Sequence, residues 1–169
     1  VSGLHASIHP FDALKYAPGP TLCLVECAGE VEEANDKILC RERTIIARMD
    51  FSEPLRYFAR IRALSVIHTW QQDPPDVVLD WLMTGDEAIR VQAANAAHDA
   101  YAPYAARAAR AAARTDAYAA ARAAADAAAY AAADDLADDL AYDVAARTAA
   151  YAAAYDVARD EFETLVNEC

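Results

Sequence analysis

Near the start of the chain, His5 and Ser7 are the residue types a hydrolytic or acyl-transfer site would use, a base beside a hydroxyl nucleophile. Such a pair works only when a third group orients the imidazole, and no residue marks itself as that group. His5 therefore reads as a histidine that caps or bonds backbone. His68, beside Trp70 in an apolar stretch, reads as a partly buried packing residue and not as a general base. Cys23 and Cys27 lie in one strand-like run, spaced so that both fall on one face. With Cys40 and Cys169 they make four cysteines. Zinc would want a tighter Cys-x-x-Cys knuckle and a second ligand pair. Reduced, buried thiols are expected, with no metal and no obligatory disulfide. Glu26, Glu30, Glu32 and Glu33 lack calcium-loop spacing and read as a solvated strand end. No catalytic residue, metal ligand or cofactor site is assigned.

The second half carries charge and aromatic rings in place of chemistry. Arg110, Arg114, Tyr118, Arg122, Asp126, Tyr130, Asp134, Asp138 and Tyr142 recur every four residues in an alanine lattice. Arg107, Arg110, Arg114 and Arg122 make the early part basic, and Asp134, Asp135, Asp138, Asp139 and Asp143 make the next part acidic. Carboxylates four apart on a helix repel each other, so this density needs something positive opposite it. The arginines supply that charge if the chain folds back near residues 126–135; a basic partner protein supplies it otherwise. Tyr118, Tyr130, Tyr142, Tyr151 and Tyr155 are the large side chains available there for packing or for an interface. The expected partner-binding residues are Asp134, Asp135, Asp138, Asp139 and Asp143 with Tyr130 and Tyr142.

These residues need elements to hold them. The chain has 169 residues, 56% of them apolar, but much of that is alanine. Large apolar residues crowd before Met83 and thin out afterwards, which places the expected core in the first half. Three regions differ in texture. Residues 1–50 read as a small α/β module: a short helix opened by Pro10, a stop at Pro18-Gly19-Pro20, then strands over Thr21–Val31 and Ile38–Met49 paired as an antiparallel hairpin, with Gly29 at a bulge. Residues 51–85 read as a helical connector with Ser52 as N-cap, Pro54 in the first turn and Gly85 as a C-terminal cap. The hairpin is the expected cover for its apolar face. Residues 86–169 form an acidic, alanine-rich helical region capped at Asp86 and interrupted at Pro103. About 65 residues follow, and one straight helix of that length would run about 100 Å. A folded-back bundle is expected, with breaks at Thr115-Asp116, Asp134-Asp135 or Thr148. The fold class is α+β, mostly α: a small hairpin-containing module followed by an alanine-rich helical bundle or hairpin.

A net charge of −12 and a pI near 4.6 argue against a direct nucleic-acid or anionic-membrane binder. No run reaches the roughly 18 apolar residues that a membrane span needs. No signal-peptide pattern opens the chain, so a cytoplasmic setting is expected.

The segments Gly3-Leu4-His5-Ala6-Ser7, Ala13-Leu14-Lys15-Tyr16-Ala17-Pro18-Gly19, Leu24-Val25-Glu26, Gly29-Glu30, Asp36-Lys37 and Arg41-Glu42-Arg43-Thr44 form a series. Together they resemble a family of uncharacterised phage and bacterial proteins in which this module precedes alanine-rich helical repeats. The resemblance covers residues 3–85, brings no assigned activity, and implies that the chain begins inside the module. It also implies a phage or mobile-element setting and a role against host defence. A fainter resemblance, of the Gly-x-His-x-Ser segment and the helix and strand after it, is to the central part of ADP-ribosyltransferase folds. There, Glu42 is the acidic partner, and the preceding nicotinamide-binding strand is missing here.

The expected function is therefore that of a non-enzymatic interaction protein. Its acidic helical surface would bind a basic protein partner, such as a nucleic-acid-binding defence complex blocked by an acidic mimic. The alternatives are a small enzyme of the transferase type and a structural protein that dimerises through its alanine-rich helices.

Overall fold

A computed structural model describes residues 3–16, 19–70, 73–99, 104–114, 117–138 and 144–168. The order is β1 (Leu4–Ala6), α1 (Pro10–Ala13), β2 (Thr21–Glu33), β3 (Ile38–Asp50), α2 (Ser52–Ser65), α3 (Asp76–Thr84), α4 (Arg90–Asp99), α5 (Ala105–Ala112), α6 (Ala117–Asp138) and α7 (Val144–Glu168), with a 3-10 turn at Ile67–Thr69. The fold is α+β and mostly α.

The sheet is antiparallel in the order β1-β3-β2. β2 and β3 form the expected hairpin, closed by the Ala34 N–H donating to the Lys37 carbonyl at 2.9 Å. The register slips between Ala28 and Val31, where Gly29 has φ +79 and a Cβ would sit 3.0 Å from Arg41 Cβ. Both the positive φ and the close approach call for glycine at this bulge. A second slip, between Leu24 and Val25, leaves Ile46 unpaired on β3. Asp36 ties the turn to the end of α1, accepting from the Tyr16 hydroxyl at 2.7 Å and lying 3.5 Å from Lys15 Nζ.

Helix ends follow local chemistry, with one correction. Ser52 is the first residue of α2, not its cap: Asp50 Oδ1 accepts from both the Ser52 N–H and the Ser52 hydroxyl, at 2.9 and 2.6 Å. A carboxylate outcompetes a neighbouring hydroxyl for the free N–H groups of a first turn. Gly85 closes α3 with φ 72 and its N–H on the Trp81 carbonyl at 2.8 Å. Asp86 caps the turn into α4 by accepting the Ala88 N–H at 2.9 Å.

The expected cover for α2 is wrong. The hairpin leaves its strands largely in solvent, and α2 instead lies along α6 with α3, α5 and α7 beside it. The contact is built from alanine: Ala59 and Ala63 of α2 and Ala120, Ala121, Ala124 and Ala128 of α6 are fully buried. Small side chains let two helix axes come close, so many weak dispersion contacts accumulate where large side chains would hold the backbones apart. The hairpin, with two short-range bulges, cannot match that straight surface.

Nor does the core belong to the first half alone. All four phenylalanines of the chain meet: Phe162 of α7 lies 5.0 Å from Phe58, 5.7 Å from Phe11 and 5.8 Å from Phe51 between ring centroids. Arg62, 5% exposed, donates to Glu161 Oε2 at 2.7 Å, a second link from α2 to α7.

The alanine-rich region does fold back, but not near residues 126–135. α6 runs unbroken through Asp134-Asp135, and α7 runs unbroken through Thr148. α6 is described as far as Asp138 and α7 from Val144. Thr115 and Asp116 lie outside the described residues, between α5 and α6. Arg107, Arg110 and Arg114 are exposed on α5, while Ala105, Ala106, Ala108, Ala109 and Ala112 on its other side are buried. Arg110 meets His98 of α4 at 2.9 Å, and Arg122 shares α6 with the aspartates.

Phe162→Ala should lower stability by about 3 to 5 kcal/mol. Val157→Ala, on the same helix but 52% exposed, should change it by less than about 0.5 kcal/mol; urea denaturation measures both. Glu161→Ala strands the buried Arg62 guanidinium and should cost about 2 kcal/mol, discounted from the fully buried case because Glu161 is 42% exposed. Glu30→Ala, which breaks the exposed pair with Arg41, should cost under about 0.5 kcal/mol.

Candidate functional site

A four-residue step on an α-helix advances by about 400°, so a row at that spacing turns by about 40° per step. The row on α6 therefore carries Arg122, Asp126 and Tyr130 gradually across the side that meets α7. There Tyr130 lies 4.9 Å from Tyr151, Tyr151 lies 6.2 Å from Tyr155, and Tyr155 lies 5.0 Å from Phe11 between ring centroids. Tyr151 and Tyr155 are themselves four apart on α7, which brings their rings to one face. The outcome is an aromatic ladder that begins at Tyr130, 51% exposed, and ends in the phenylalanine cluster.

Beside the ladder is a cleft of about 500 Å³ lined by Lys15, Arg122, Asp126, Tyr151, Ala152, Tyr155 and Asp156. Three elements supply it: the residues just after α1, the middle of α6 and the middle of α7. Lys15 is the most heavily used group. Its ammonium lies 3.1 Å from Asp12 and 3.5 Å from Asp36 and 5.4 Å from the centre of the Tyr155 ring. Burial alone would lower it, but the Asp12 hydrogen bond and the fields of Tyr155, Asp12 and Asp36 hold it above its ordinary value. Asp156 is paired with Arg159 at 3.0 Å.

Asp126 differs from these. It forms no ion pair or hydrogen bond among the described residues, and desolvation pushes its carboxyl above the ordinary aspartate value, against the pull of Arg122, Lys15 and Arg107. Arg122, one turn earlier, does not close on it. Its guanidinium reaches instead to the Lys15 carbonyl at 3.4 Å. Burial also raises the Tyr151 and Tyr155 phenols, with the Asp126 charge adding to both.

The residues expected to bind a partner divide unevenly. Asp134 is half-buried on α6, and Asp135 and Asp138 lie on the last turn of the same helix. Asp139, Tyr142 and Asp143 lie outside the described residues. Tyr130 joins the ladder and stays open to solvent. Lys15, Asp126 and Tyr155 were not expected as a group, because they come from elements far apart in the chain.

The remaining candidates lie elsewhere in the fold. The His5 carbonyl accepts from Arg43, a contact of its backbone and not of its imidazole. His68 is exposed on the 3-10 turn, not partly buried, because α2 ends at Ser65 and the turn rotates it outward. Of the described cysteines, only Cys40 is buried; Cys27 is half-buried and Cys23 exposed, since the hairpin strand that carries them is uncovered. A hydrogen bond with Cys40, together with burial, pushes the Cys27 thiol up. Cys169 lies outside the described residues. Among the described residues no group of three or more His, Cys, Asp or Glu gathers as a metal site, and no helix is long and apolar enough to cross a membrane.

A carboxyl raised in the folded state favours folding below its unfolded value, and that contribution is lost as pH rises through the folded value. Asp126→Asn should therefore raise the melting temperature by a few degrees at neutral pH. The gain should shrink as pH falls towards 4, where the parent carboxyl is protonated as well. Thermal unfolding of both proteins across that range checks the sign; a loss of stability at neutral pH would contradict the strain assigned to Asp126.

No curated protein and no solved structure matches the chain. A family match is found at the N-terminus, shorter than the 3–85 span of the sequence resemblance. Residues 1–56, which hold β1, α1, the hairpin and the first turn of α2, match a family described as a domain of unknown function (DUF7666).

Proposed function

We propose that this chain is a non-catalytic interaction protein that binds a basic protein partner. One observation carries the reading: a hairpin of two 13-residue strands keeps apolar side chains in solvent. Leu24 is 64% exposed, Ile46 58%, Ile45 57% and Val31 50%. Alternation along the strands puts Leu22, Leu24 and Met49 on one face and Val25, Cys27 and Ile45 on the other. A two-stranded ribbon with apolar residues on both faces is not stable through its own contacts, and contiguous exposed apolar surface marks interaction sites. β2 is also an outer strand of the sheet, so its backbone can take an added strand from a partner.

Charge supports the sign of that partner. Glu26, Glu30, Glu32 and Glu33 are exposed along the same strand, whereas Arg41 and Arg43 on β3 are engaged by Glu30 and by the His5 carbonyl. The acidic residues towards the end of α6, Asp134, Asp135 and Asp138, and the exposed ring of Tyr130 form the second part of the proposed surface; Asp139, Tyr142 and Asp143, outside the described residues, are added to it from the sequence alone. With a net charge of −12, the chain steers basic surfaces towards it. In the mobile-element setting that the sequence resemblance implies, the partner is a nucleic-acid-binding host defence complex, the location is the host cytoplasm, and binding inhibits the complex by occupying its basic surface.

A Leu24→Asp, Ile45→Asp double variant should keep its helix content and melting temperature, since both side chains are exposed, and lose a captured basic partner by at least tenfold. Capture by the parent should weaken as salt rises to about 0.5 M, where charges are screened beyond about 4 Å. An Asp134→Asn, Asp135→Asn, Asp138→Asn variant should weaken the same capture. Undiminished binding by the hairpin variant, or capture indifferent to salt, would overturn the reading.

A further inference from the structure

We propose that the cleft between α1, α6 and α7 binds a small zwitterion, an α-amino acid with an aromatic side chain, placing its carboxylate on Arg122, its ammonium on Asp126 and its ring against Tyr151 and Tyr155. Nothing in the protein-binding reading requires this site, and it lies on the helical body, not on the hairpin.

Pairing within the cleft decides the charge of the ligand. Lys15 is already committed to Asp12 and Asp36, and Asp156 to Arg159. Among the described residues that line the cleft, what is left over is one cation and one anion, Arg122 and Asp126. They stand one helical turn apart, at a spacing where opposite charges ordinarily meet. Here they stay apart because Arg122 reaches for the Lys15 carbonyl at 3.4 Å. A pure anion would meet Asp126 and the long-range field of a chain with net charge −12. A pure cation would meet Arg122 and Lys15. A zwitterion satisfies both groups, and its two charges lie close enough to bridge one turn.

Shape and ring chemistry narrow the class. The cleft holds about 500 Å³ and stands open on its solvent side, with room for a ligand the size of an amino acid. Tyr151 and Tyr155 stack on each other with their rings 27° from parallel, and both line the cleft, where an aromatic ring can pack against them. The electron-rich ring faces also attract an ammonium group, as Lys15 over Tyr155 already shows. Burial raises the Asp126 carboxyl, as expected of a group that lacks its counter-ion until a ligand arrives.

Three probes resolve the contacts: L-phenylalanine, its N-acetyl derivative without the ammonium, and its amide without the carboxylate. Isothermal titration of the full chain should show L-phenylalanine binding with a Kd below about 1 mM and each capped probe at least tenfold weaker. The ring resonances of Tyr151 and Tyr155 should shift in step with that binding. Asp126→Asn should weaken L-phenylalanine and the amide at least tenfold while leaving the N-acetyl form unchanged. Arg122→Gln should do the reverse, weakening L-phenylalanine and the N-acetyl form but not the amide. Equal affinity for all three probes, no binding of L-phenylalanine at about 10 mM, or the same response from both variants would overturn the proposal. Because the hairpin variant Leu24→Asp, Ile45→Asp leaves this cleft intact, it should bind L-phenylalanine as the parent does.

Discussion

Phe162 sits among Phe11, Phe51 and Phe58, and the rest of the architecture depends on that contact. It draws the last helix back onto the first, although the two are about 150 residues apart in the sequence. All four phenylalanines of the chain gather at one point and are buried there. Arg62 and Glu161, one residue before Phe162, add a directed contact beside the apolar one. The region of residues 86–169 is therefore not an appendage to a folded first half; each completes the core of the other.

Alanine sets the remaining geometry. Methyl groups bury little area each, so a core made from them gains stability only through close approach and many contacts. α2 and α6 meet this condition by running side by side with Ala59, Ala63, Ala124 and Ala128 fully buried. Once α6 covers α2, the hairpin has no helix left to cover. Its apolar residues remain in solvent as a consequence of which surfaces fit together, and the proposed interaction surface rests on that outcome.

The cleft shows the converse balance. Around it, charges pair wherever the geometry allows, at Lys15 with Asp12 and Asp36 and at Asp156 with Arg159. Asp126 is the exception, half-buried and without a partner among the described residues, beside an arginine that turns elsewhere. An uncompensated carboxylate at such a position costs stability. That carboxylate beside Tyr151 and Tyr155 is the feature on which the proposed zwitterion site rests.

Local chemistry wrote much of this fold into the sequence. The hairpin, the bulge at Gly29, the α-helix opened by Pro10, the left-handed cap at Gly85 and the helical character of the alanine region all follow from residues within a few positions of each other, where propensity and backbone conformation decide. That the N-terminal segment resembles an uncharacterised family was legible too. The partner of α2, the position of the turn between α6 and α7, the phenylalanine cluster and the cleft were not. Each depends on which of several apolar faces fit most closely, a comparison between segments tens to more than a hundred residues apart. A four-residue spacing announced Arg122, Asp126 and Tyr130 as a row, but only the crossing of α6 with α7 and the end of α1 determined that Tyr151, Tyr155 and Lys15 would stand opposite it. Periodicity fixes which side a residue takes on its own helix; tertiary packing decides what that side faces.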